Sequence, residues 1–239
     1  MITSKDCWVK NSCKKYKKSD CECRESDIFC KKLFTLEYLY DQALLVPEQR
    51  NPIILTSQED RADFSAYCTL SQFEKDILTN VKAGKNIYIY SENCGNGKTS
   101  WAIKLLQTYL NSVWPYTGVS CDALFIHVPR FLLALKDNIS NNNDYASHIL
   151  TYINTASLII WDELATKTAT PYENEQLLSF ISTRLDTHKA NIYTSNASLS
   201  ELSTRLGERL YSRVVNTSTV IEFTEPDKRP TIYTQGVAR

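Results

Sequence analysis

Apolar residues along this chain keep two rhythms, and the points where one gives way to the other predict its elements. Residues 86–90 form a short, largely apolar run that suits a buried strand, whereas Trp101, Ala102, Leu105, Leu106, Tyr109 and Leu110 fall on one stripe of a helix. The same reading predicts helices around 70–82, 130–138, 145–153, 173–188 and 198–214, and strands at 123–128, 157–161, 191–194 and 219–223. Pro129 opens the second of these helices from a first-turn position, where its missing N–H costs little. Strand alternating with helix predicts a parallel sheet with helices on both faces, and no internal repeat is apparent. Upstream, Leu33, Leu36, Leu39 and Tyr40 recur at helical spacing. That helix either packs beneath a neighbouring module or presents a partner-binding face. Residues 46–66, with Pro47, Pro52 and a run of charged residues, read as a linker. The expected division is therefore 1–45, a linker at 46–66, and a main domain at 67–239.

The connection between the first strand and its helix changes the picture from fold to chemistry. It runs Glu92, Asn93, Cys94, Gly95, Asn96, Gly97, Lys98, Thr99, Ser100. In a phosphate-cradling loop of this kind the backbone N–H groups and the helix N-terminus wrap the phosphates, and Gly95 and Gly97 let the backbone approach. Lys98 reaches the β/γ oxygens and the Thr99 hydroxyl takes Mg²⁺. The pattern departs from the usual one at Glu92, where glycine is ordinary. An acid there repels a triphosphate unless its side chain turns outward.

A metal-organising carboxylate belongs on a neighbouring strand, and Ser157-Leu-Ile-Ile-Trp-Asp162-Glu163 runs from apolar residues into two acids. Asp162 would hold Mg²⁺ through its water shell, and Glu163 would polarise the water that attacks the γ-phosphorus. The next strand ends Ile192-Tyr-Thr-Ser195-Asn196, at the sheet edge where open α/β folds bind ligands. Asn196 either reaches the γ-phosphate and its water or caps the following helix.

Composition narrows the class further. Lys and Arg together number 27, as do Asp and Glu, so formal net charge is zero. No whole-molecule positive field draws the chain to DNA or to an acidic membrane, and any nucleic-acid contact must be local. Apolar stretches such as 158–161 fall far short of the about 20 residues that span a bilayer, and Lys5, Asp6 and Lys10 interrupt any leader-like core, so a cytoplasmic protein is expected. Five of the eight cysteines lie in the first thirty residues. Cys7, Cys13, Cys21, Cys23 and Cys30 sit in a lysine-rich segment too poor in apolar side chains to fold by burial. Four of the five would hold a tetrahedral Zn²⁺, or the segment is a tail with free thiols. Cys68, Cys94 and Cys121 read as ordinary half-buried residues.

The order of phosphate loop, Leu-Ile-Ile-Trp-Asp-Glu, Tyr-Thr-Ser-Asn and then Leu206-Gly-Glu-Arg209-Leu-Tyr-Ser-Arg213 resembles the DnaC/DnaI family of AAA+ replicative-helicase loaders, over about residues 70–229. The resemblance implies an α/β P-loop NTPase with an AAA+ core, no C-terminal helical lid, and a small Cys-rich N-terminal module that binds zinc and contacts the helicase. It implies Asn196 as the sensor-1 residue, Arg213 as the arginine finger entering a neighbouring subunit's ATP site, and Arg209 in support. The alternative for Arg213 is a helix-surface arginine in an ion pair. Lys228 and Arg229 fall near where relatives carry a sensor-2 arginine.

The function so implied is ATP-dependent loading of a hexameric replicative helicase onto single-stranded DNA. ATP and Mg²⁺ would act in a homo-oligomer of weak ATPases stimulated by assembly or DNA, and many relatives come from phages or prophages. Two alternatives remain open: a transposition helper ATPase of the IstB type, and a non-hydrolysing adaptor or inhibitor of a host replication protein.

Overall fold

The five strands fall where short apolar runs predict them. In the computed structural model, which describes residues 28–228, they are β1 (Asn86–Tyr90), β2 (Ala123–His127), β3 (Leu158–Asp162), β4 (Ala190–Ser195) and β5 (Ser218–Glu222). They form one parallel sheet in the order β2-β3-β4-β1-β5. Pleating sorts their side chains to two faces. Ile87, Ile89, Phe125, Ile160 and Ile192 share one core with α4 (Lys98–Thr117), whereas Tyr88, Leu124, Ile159, Trp161 and Tyr193 share the other with the helices of the opposite face. Those are α5 (Val128–Ser140), α6 (Asp144–Tyr152), α7 (Pro171–Asp186) and α8 (Leu199–Val215). Burial on both faces is why β1 to β4 read as nearly continuous apolar runs instead of alternating ones, whereas the edge strand β5 is largely exposed.

Four expectations meet a different arrangement. The helix expected over 70–82 is two, α2 (Phe64–Lys75) and α3 (Ile77–Lys82), parted at Asp76, which leaves the helical region with φ −101° and ψ 22°. The boundary drawn after residue 45 does not coincide with a break in packing. Helix α1 (Ile28–Gln42) lies on the sheet's first face, burying Leu36, Leu39 and Tyr40 in the α4 core, and Ala43 O accepts from Phe125 N at 2.8 Å. The expected linker is likewise fastened, since Gln107 Nε2 on α4 donates to Gln49 O at 2.6 Å and to Asn51 O at 3.0 Å. Of the cysteines taken as half-buried, Cys68 and Cys94 are exposed and Cys121 is buried.

Cys7, Cys13, Cys21, Cys23 and Arg229 lie outside the described residues. Cys30 is half-buried on α1, and among the described residues no group of three or more His, Cys, Asp or Glu is placed to hold a metal ion. No helix among them is long and apolar enough to cross a membrane.

A polar network at the amino edge of the sheet fixes α7 against it. Arg184 is fully buried. Its Nε donates to Asn191 Oδ1 at 2.8 Å, Nη1 to Ile153 O at 2.7 Å and Ala156 O at 2.8 Å, and Nη2 to Ala190 O at 2.8 Å. Asn191 Oδ1 also accepts from Trp161 Nε1 at 3.1 Å, and Asn191 Nδ2 donates to Asn86 Oδ1 at 3.0 Å, so the network ties β1, β3 and β4 together. Burial lowers the Arg184 pKa to about 10, which leaves the guanidinium charged at neutral pH.

The other end of α7 opens on a capping box. Thr170 Oγ1 accepts from Glu173 N at 3.3 Å, and Glu173 Oε2 accepts from Thr170 N at 2.8 Å. The Glu173 side chain has no exposed surface, and its Oε1 pairs with Lys136 Nζ of α5 at 2.8 Å and Lys167 Nζ at 3.3 Å. Burial alone would raise its pKa, but the bonds from Lys136, Thr170 and Lys167 outweigh burial and hold the carboxyl at about 2 against an ordinary 4.5. Glu173→Gln is therefore expected to cost about 2 kcal/mol at pH 7. A carboxyl depressed on folding contributes stability above its unfolded pKa and loses it as pH falls toward its folded one. The gap in urea midpoint between the two proteins should accordingly be full above pH 4.5 and close toward pH 2. An equal gap at both ends of that range would show that Glu173 acts by shape alone.

Candidate functional site

Parallel strands bring their carboxyl ends to one rim, and in this strand order β4 separates β1 from β3. The phosphate loop therefore stands two strands from Asp162, with the end of β4 between them. Tyr90 is in register with Ser195, and Ser91 N donates to Ser195 O at 3.2 Å, which sets the loop beside Asn196. A crevice of about 340 Å³ opens there, with residues 94–100 on one side and Glu163, Thr194, Ser195 and Asn196 on the other.

The loop takes its shape from two glycines in left-handed conformations, Gly95 (φ 68°) and Gly97 (φ 103°), the latter immediately before α4. A side chain is strained at either φ, and the turn they make aims the first N–H groups of a 20-residue helix into the crevice. Lys98 Nζ donates to Asn93 O at 2.7 Å and to Asn96 Oδ1 at 3.1 Å, so its stem already lies along the loop. Glu92 is exposed and does not line the crevice. Asn93 faces away from the crevice and bonds Thr224 O at 2.9 Å.

Across the crevice, Asp162 Oδ1 accepts from Thr99 Oγ1 at 2.8 Å and from Thr194 Oγ1 at 2.7 Å. Burial raises the Asp162 pKa, and these two hydroxyls pull it back. A hydroxyl and a carboxylate so joined are the oxygen set a hard cation such as Mg²⁺ takes, with water completing its shell. Glu163 follows in a left-handed conformation (φ 59°), its N–H donating to Thr194 Oγ1 at 3.1 Å. That turn throws its carboxylate off the strand and into the crevice lining. There Glu163 Oε2 lies 3.2 Å from His127 Nε2, at the end of β2. His127 Nδ1 accepts from Arg130 N at 3.3 Å, which places the proton of a neutral imidazole on Nε2, facing the glutamate.

The rim therefore gathers Gly95, Asn96, Gly97, Lys98, Thr99, Ser100, Asp162, Glu163 and Asn196, with Cys94 exposed at its lip. It does not gather Arg209 and Arg213. Both line a separate groove with Ser182 and Glu208, and Arg213 Nη1 pairs with Asp186 Oδ1 at 3.3 Å. Helix α8 starts beside the rim, but Gly207 breaks it before Arg209 and Arg213, and neither arginine lines the crevice of its own chain. Lys228 lies near the loop, its N–H on Gly95 O at 3.1 Å and its ammonium on Glu225 at 2.6 Å. Sequence reasoning did not find His127 or Thr194. Each is the polar end of an apolar strand, the one signal that marks the carboxyl rim.

No family model matches the chain. It is 24% identical over 156 residues to the replicative helicase loader DnaC of Escherichia coli (strain K12) and, to the same extent, to that of Shigella flexneri. Each match takes in 65% of this chain, which spans 59% of the length of those curated relatives. Among solved structures, the crystal structure of the DnaC helicase loader superposes with a TM-score of 0.60 at 20% identity, covering 74% of this chain and 99% of that one. The crystal structure of DnaI gives 0.59 at 19% identity, covering 80% of this chain and 100% of that one. AMPPCP-bound DnaA from Aquifex aeolicus gives 0.53 at 18% identity, over 70% of this chain and 48% of that one. The fold is the P-loop α/β fold shared with DnaC, DnaI and DnaA, and the chain is similar in sequence to DnaC.

Proposed function

We propose that this chain is an ATP-dependent loader of a hexameric replicative helicase onto single-stranded DNA, and that it hydrolyses ATP slowly as the resetting step of a switch. The observation that carries the reading is the rim itself, where Lys98, the joined pair Thr99 and Asp162, Glu163 and Asn196 line or border one crevice while Arg209 and Arg213 stand apart from it. In this reading the loop amides and Lys98 hold the β- and γ-phosphates. Thr99 and Asp162 would hold Mg²⁺, which neutralises charge on those oxygens.

Glu163 accepts hydrogen bonds from the attacking water and lines it up with the γ-phosphorus, and Asn196 steadies that water or the phosphate oxygen beside it. His127 bonds one oxygen of the Glu163 carboxylate through Nε2–H and so orients it, leaving the other oxygen to accept from water. Arg213, outside the lining of its own crevice, completes the crevice of an adjacent copy, with Arg209 beside it. The cysteine cluster of residues 7–30 would hold Zn²⁺ and contact the helicase. The likeness to DnaC, a replicative helicase loader, supports the choice of partner.

Glu163→Gln tests the reading directly. The variant is expected to bind ATP with unchanged affinity while phosphate release falls about 10²- to 10⁴-fold, the range for removing a positioned base. Both are measured beside helicase loading in a reconstituted unwinding assay. Undiminished hydrolysis would remove Glu163 from the mechanism, and undiminished loading would remove hydrolysis from the switch.

A further inference from the structure

Behind the phosphate loop lies a buried polar cluster that the hydrolysis scheme does not use. Residues 223–228, after β5, cross the outer side of the loop. Phe223 N donates to Tyr90 O at 2.8 Å, and Asn93 Nδ2 donates to Thr224 O at 2.9 Å and Glu225 O at 3.3 Å. Asn96 joins this strap to the functional lysine. Its Nδ2 donates to Ser91 Oγ at 2.6 Å and to Glu225 O at 3.3 Å, while its Oδ1 accepts from Lys98 Nζ at 3.1 Å.

The strap is held in turn by Asp63, at the positive end of α2. Asp63 Oδ1 accepts from Thr224 N at 2.7 Å, Thr224 Oγ1 at 3.0 Å and Glu225 N at 3.3 Å, and Oδ2 from Glu225 N at 3.3 Å. Asp63, Ser91, Asn96 and Glu225 are exposed by only 6, 0, 2 and 6%. Polar groups so buried are costly to leave unpaired, so the bonds act as a connected set.

We propose that Asn96 is a positioning residue for Lys98 and that Asp63, acting through residues 224–225, keeps Asn96 in place. Affinity for nucleotide is then set from outside the crevice, and whatever draws the strap away slackens the lysine. The inference rests on the reading of the crevice as an ATP site.

The test is calorimetry of ATP and ADP with Mg²⁺ on the full chain, with the nucleotide-free thermal midpoint of each variant taken as the check of folding. Asp63→Ala is expected to weaken ATP binding about tenfold and Asn96→Ala comparably, with the double variant little weaker than the worse single one, because both cut one chain of contacts. Asp63→Asn, which keeps one acceptor oxygen, should fold normally and fall between. In steady state, Asp63→Ala should raise KM while leaving kcat within about twofold, since Glu163 is untouched. Binding by Asp63→Ala equal to that of the wild type, or losses that multiply in the double variant, would overturn the proposal. A wild-type chain that takes up no nucleotide would instead remove the ATP-site reading on which it stands.

Discussion

Arg213→Ala is expected to leave ATP binding by the isolated chain intact and to lower hydrolysis by the assembled protein about 10³-fold, the lower end of what an arginine donated to a phosphoryl-transfer site contributes. The cause is geometric. Arg213 stands beside Asp186 near the end of α8, on the groove it shares with Arg209 and outside the lining of its own crevice. Its ion pair with Asp186 joins two solvated side chains and contributes little to folding, so the variant should keep its thermal midpoint. Mixing supplies the decisive readout. Arg213→Ala subunits keep a complete rim and Glu163→Gln subunits keep the arginine, so a mixture should hydrolyse ATP faster than the sum of the two alone. A mixture no faster than that sum would confine each crevice to its own chain.

Arg184→Leu carries the largest expected loss of stability, about 3–5 kcal/mol, since it strips donors from several buried oxygens at once. Asn191 Oδ1 would keep only the Trp161 indole, and the carbonyls of Ile153, Ala156 and Ala190 would lose the guanidinium that now gathers them. Urea unfolding with an unchanged slope and a lowered midpoint checks the figure. A loss below about 1 kcal/mol would mean that water replaces the guanidinium at little cost. Arg184→Met should do little better, because it restores bulk without restoring donors.

Much of this architecture is legible from residue order, because its elements are local. Each strand is a short apolar run between polar turns, and the phosphate loop, the Asp162-Glu163 pair and Asn196 each follow such a run directly. What escapes depends on contacts between distant segments. Arg184, near the end of an amphipathic helix and followed by Asp186 and Lys189, reads as a solvated cation; only the meeting of α6, α7 and β4 buries it. The packing of α1 is invisible for the same reason, since its stripe of Leu36, Leu39 and Tyr40 says that it packs, not upon what. Asp76 breaks a helix that residue spacing would continue. The facing of His127 and Glu163 follows from β2 and β3 lying side by side with His127 and Asp162 in register. The two arginines of α8 were named from family likeness, and residue spacing alone does not distinguish their groove from any other polar helix face.

Helix α8 is not one rod. Gly207 leaves the helical region with φ 75° and ψ 158°, and any side chain there would be strained and would meet Asn174 at 3.3 Å. The half before it is rooted near the rim, with Arg205 Nη1 on Ala165 O at 2.9 Å and Arg205 O accepting from Ala169 N at 3.1 Å. The half after it bears Arg209 and Arg213. The break works as an elbow, setting the forearm that bears the two arginines on a line of its own while the shoulder stays seated at the rim.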